Sequence, residues 1–62
     1  MKLINIEKNQ NLSEWLNVRI FGRVVGTEKT LALAMEKAKE LQAQEEANTR
    51  NPFVIIVNQN AK

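Results

Sequence analysis

The chain has 62 residues and a formal net charge of +2, from nine Lys and Arg against seven Asp and Glu. It contains no cysteine, histidine or tyrosine, which excludes a disulfide framework, a thiolate metal site and the commonest general base. A domain of this size buries only about 60% of the surface its unfolded chain exposes and needs a further source of stability; self-association is the expected one.

Residues 1–8, MKLINIEK, alternate in the manner of a short strand, with Ile4 and Ile6 on one face and Leu3, Asn5 and Glu7 on the other. Asn5 and Glu7 also interrupt any signal-peptide core, and no apolar run approaches the ~20 residues of a membrane span. The expectation is a soluble, cytoplasmic chain. Asn9-Gln10-Asn11 suits a turn, since asparagine tolerates left-handed backbone.

Residues 14–25, EWLNVRIFGRVV, carry a period of two and are rich in β-branched and aromatic residues. Leu16, Val18, Ile20 and Val24 form one set. Trp15, Asn17, Arg19, Phe21, Arg23 and Val25 form the other. The pattern predicts one long strand, with Gly22 marking a bulge, a bend or a second hairpin turn. A short helix starting at Ser13 would leave Val18, Ile20, Val24 and Val25 without a helical pattern, which also argues against a helix-turn-helix.

The segment from 28 to 47 is dense in Ala, Leu, Glu, Lys, Gln and Met, the strongest helix formers. Thr27 is the expected N-cap, with Glu28 favoured by the helix dipole. Leu31, Ala34, Met35, Ala38 and Leu41 fall on one amphipathic stripe. Leu33 lies off that stripe among Lys29, Glu36, Lys37 and Glu40 and is a candidate second contact. Glu36 and Glu40 are one turn apart and read as solvated surface. This stretch is acidic, whereas residues 1–26 are mildly basic.

Asn48 to Pro52 form a loop, because proline biases Asn51 away from helical angles. Residues 53–58 then read as a strand. FVIIV, at 53–57, is apolar on both faces, a pattern usual where both faces are covered. Residues 58–62 read as a frayed tail.

These elements predict a single α+β domain over residues 1–62: a small ββαβ arrangement with strands near 1–8, 14–25 and 53–58 and a helix near 28–47. The expected sheet has three strands, with the amphipathic helix packed on one face against Ile4, Ile6, Leu16, Val18 and Ile20. The third strand can pair with either of the first two. One helix leaves the other sheet face showing Trp15, Phe21, Val25 and one side of FVIIV. Contiguous apolar patches mark contact surfaces, so a second copy is expected there, through the sheet or by strand exchange.

No catalytic constellation is visible. Ser13 is the single serine, and two glycines cannot build a phosphate-cradling loop. The chain reads as non-enzymatic, with no cofactor and no metal. The first functional reading is a homodimeric interaction module that binds another protein; in size and economy it resembles the short accessory and inhibitor proteins of phages and mobile elements. The alternative is nucleic-acid binding through a face carrying Trp15, Arg19, Phe21 and Arg23, where aromatics stack on bases and cations track phosphates. The interaction-surface candidates are Trp15, Arg19, Phe21, Arg23, Val25 and Leu33.

Overall fold

Ile4 and Ile6 alternate with Asn5 and Glu7 along β1 (Lys2–Lys8), and the alternation sends both isoleucines to full burial. The computed structural model describes residues 2–12 and 14–58. Expectations that fall on Met1, Ser13 and the tail at 59–62 lie outside the described residues.

The β1–β2 connection is organised by one side chain. The Asn9 Oδ1 accepts the backbone N–H groups of Asn11 at 2.8 Å and Leu12 at 2.9 Å, the local bonding that makes asparagine a turn residue. Its own N–H donates to the Trp15 carbonyl at 2.9 Å. The chain then runs back as β2 (Leu16–Ile20), antiparallel to β1, with Ile4 opposite Ile20 and Ile6 opposite Val18.

The stretch 14–25 is not one strand. It reverses at Phe21 and Gly22, whose φ angles of 53° and 76° are both left-handed, as in the two-residue turns whose twist matches a hairpin. The continuation is β3 (Arg23–Glu28), antiparallel to β2, with a register shift between Val18 and Arg19. The sheet therefore has four strands, not three, in the order β3-β2-β1-β4.

The helix α1 runs over Leu31–Thr49, three residues later than expected at its start, because residues 23–28 are consumed by β3. Its N-cap is Thr30, not Thr27: the Thr30 hydroxyl accepts the Leu33 N–H at 3.2 Å. Glu28 accordingly lies in a strand and not in the first helical turn. At the other end Arg50, at φ 58°, donates its N–H to the Glu46 carbonyl at 2.9 Å, a left-handed cap followed by Pro52. The chain then forms β4 (Phe53–Val57), parallel to β1.

The core lies between α1 and one sheet face. It is built from Ile4, Ile6, Leu16, Val18, Ile20, Ala34, Ala38 and Phe53, with Met35, Leu41, Ile55 and Val57 packed against it. The helix offers two fully buried alanines to the sheet, so its backbone sits close. Leu31, expected in the stripe, is 37% exposed, since it stands in the first turn at the rim of the sheet. No helix among the described residues is long and apolar enough to cross a membrane.

Candidate interaction surface

Strand alternation assigns the face opposite the helix once the register is known. Ile4 and Ile6 point to α1, so Leu3, Asn5 and Glu7 point away from it. Their cross-strand partners follow: Val54 and Ile56 on β4, Asn17 and Arg19 on β2, and Thr27 and Val24 on β3. No described element covers this face. Leu3, Ile56 and Val24 are 47%, 40% and 44% exposed.

The open face has an apolar side and a polar middle. Leu3 is paired with Val54, and Ile56 stands next along β4 opposite Asn5. Towards β2 the surface turns polar: Arg19 Nε donates to Glu7 Oε1, and Arg19 Nη1 donates to the Gly22 carbonyl at 3.0 Å. The Asn17 Oδ1 accepts from Asn9 Nδ2 at 3.0 Å and from the Thr27 hydroxyl at 3.2 Å. The Arg19–Glu7 pair is partly exposed and contributes at most about 1 kcal/mol. It neutralises the cation that the sequence placed on this face.

The six surface candidates do not converge. Trp15 and Phe21 flank β2 at opposite ends, about 20 Å apart along an extended chain. The Lys29 ammonium lies 5.2 Å from the centroid of the half-buried Trp15 ring, a cation–π contact. Phe21 packs edge-on against Phe53, with ring centroids 5.9 Å apart, and the Lys2 ammonium stands 5.9 Å from its centroid. Arg23 is opposite the core residue Ile20, which puts it on the helix side. Of the four residues expected on a stacking platform, Arg19 alone lies among the paired residues of the open sheet face. For Phe21 and Arg23 the reversal at Phe21-Gly22 is the reason, since beyond it the alternation no longer runs on from β2; Trp15 precedes β2 and stands outside the paired ladder.

Val25 occupies the bulged position of β3. With Ile20, Phe21, Arg23, Leu41 and Glu45 it lines a shallow groove of about 400 Å³ between the β2–β3 turn and the middle of α1. Leu33 is 45% exposed on the outer side of α1. The open-face residues Leu3, Val54 and Ile56 were outside the candidate set, although the alternation of β1 and the unbroken FVIIV run both pointed to them.

The outer edge of β4 is the second feature of this surface. Lys2 N donates to the Pro52 carbonyl and Asn58 N donates to the Ile6 carbonyl. Even-numbered residues of this segment therefore turn their backbone groups to β1. Phe53, Ile55 and Val57 turn theirs outward. Two helix side chains occupy the outward groups of Phe53: Gln42 Nε2 donates to its carbonyl at 2.8 Å, and its N–H donates to Glu46 Oε2 at 2.9 Å. The outward groups of Ile55 and Val57 have no partner among the described residues.

Comparison with protein-family models, curated proteins and solved structures finds no match.

Proposed function

We propose that the chain is a small non-enzymatic interaction module that associates with itself and presents its sheet to another protein. The observation that carries this reading is the uncovered sheet face, where Leu3, Val54 and Ile56 form one apolar strip beside an unpaired strand edge. Covering a large apolar side chain stabilises by roughly 1.5–3 kcal/mol, a substantial gain for a domain of this size. A composition without histidine, cysteine or tyrosine supports binding over chemistry.

Sedimentation velocity over a concentration series tests this. The expected result is a dimer that dissociates on dilution and is shifted to monomer by Leu3→Lys combined with Ile56→Lys, with the circular dichroism spectrum retained. A single monomeric species at every concentration overturns the reading.

A further inference from the structure

The two edges of the sheet are built differently. The β3 edge carries a bulge, a glycine at Gly26, and charges at Arg23 and Glu28. Bulges and charges, including charges pointing inward, are the devices that keep sheet edges from pairing. The β4 edge, Phe53–Val57, has no charge and no bulge. Such an edge is a template for another strand.

We propose that β4 pairs antiparallel with β4 of a second copy about a two-fold axis through Ile56. This rests on the reading of the chain as a self-associating module and specifies the interface. The register follows from the hydrogen-bond inventory. An antiparallel pair needs outward N–H and C=O groups on both strands. Phe53 cannot supply them, because Gln42 and Glu46 hold both of its groups. Ile55 and Val57 remain. Under a two-fold, Ile55 of one copy bonds Val57 of the other and the reverse, which satisfies every outward group of the two residues. A two-fold through Ile55 would instead require Phe53 to release both helix contacts.

The same operation sets Ile56 against its own symmetry mate as a non-hydrogen-bonded pair, the closer type, with side chains together. Ile56 lies on the open face and is 40% exposed, so the pairing covers a residue that the monomer leaves wet. It also joins the Leu3–Val54–Ile56 strips of the two copies into one continuous apolar patch on an eight-stranded sheet. An isologous contact of this kind is self-complementary and closes at two copies.

The chain has no native cysteine, which makes disulfide mapping clean. Non-hydrogen-bonded partners have Cα atoms about 4.5 Å apart, within reach of a disulfide. Under mild oxidation of the full chain, Ile56→Cys is expected to form a covalent dimer at least about tenfold faster than Leu3→Cys or Val24→Cys on the same face, and faster than Val57→Cys. Independently of any variant, amide exchange at Ile55 and Val57 is expected to slow with rising protein concentration by about tenfold or more, while exchange along β3 stays unchanged. A dimer that cross-links fastest through Leu3→Cys or Val24→Cys, or one made by exchange of β4, overturns the edge pairing while leaving the interaction module standing. Fastest cross-linking through Val57→Cys overturns the register. A chain that stays monomeric overturns both.

Discussion

Gln42 Nε2 donates to the Phe53 carbonyl at 2.8 Å, a helix side chain finishing the backbone of an edge strand. One turn further along α1, Glu46 accepts the Phe53 N–H. Gln42→Ala and Glu46→Ala are each expected to destabilise the fold by about 1 kcal/mol, a drop of roughly 4–8 °C in Tm for a domain of this length. Thermal denaturation followed by circular dichroism measures it. A midpoint unmoved by either substitution would show that water serves the Phe53 groups as well as the helix does.

The helix start separates two threonines. Thr30 caps α1, whereas Thr27 donates its hydroxyl across the sheet to Asn17. Thr30→Ala is expected to cost about 1 kcal/mol, because its hydroxyl serves a helix N–H that has no intrahelical partner, and Thr27→Ala distinctly less, because its hydroxyl bonds only the side chain of Asn17, at an exposed position. Urea unfolding of the two variants ranks them; the opposite order would place the helix start three residues earlier.

Ala34 and Ala38 are both fully buried against the sheet. No space is left for added methylenes, so Ala38→Leu is expected to lose about 1–3 kcal/mol by overpacking. Ala43, exposed on the same helix, is the control: Ala43→Leu leaves the unfolding midpoint nearly unchanged. Equal effects at the two positions would show that the helix does not approach the sheet closely.

Phe21 holds φ at 53°, a conformation strained for a bulky side chain, and its ring packs edge-on against Phe53. The two effects oppose each other. Phe21→Asn relieves the turn and loses an aromatic pair worth about 0.5–1.5 kcal/mol, so its stability is expected within about 1 kcal/mol of the parent. Phe21→Val keeps the strain and loses the contact, and is expected to fall by about 1–3 kcal/mol. Denaturant midpoints for the pair decide it; a Val variant as stable as the Asn variant would remove the backbone argument.

The core residues of β1 and β2 were legible because Ile4 and Ile6, and Leu16, Val18 and Ile20, recur at every second position, and α1 was legible from its dense helix formers. The turn at Phe21-Gly22 was only one of three readings that Gly22 allowed, beside a bulge and a bend. Phenylalanine is not a turn residue, and Val24 and Val25 resume a strand pattern immediately. That one reversal explains the missing fourth strand and the displaced N-cap. It also explains why Phe21 and Arg23, in phase with Arg19 on paper, are drawn to the helix side. The edge position of β4 is a tertiary fact that FVIIV cannot announce: five apolar residues look the same whether both flanks are paired or one is bare.

The bulge in β3 has a consequence for how far association can run. A sheet with two adhesive borders would add copies without limit and grow into a filament. Here one border is kinked and charged, and the other is bare over only a few residues. In the proposed β4–β4 dimer, growth would stop once two bare borders meet. On that proposal, a 62-residue chain with five uninterrupted β-forming residues would be stopped from amyloid-like extension by an irregularity on the far side of the molecule.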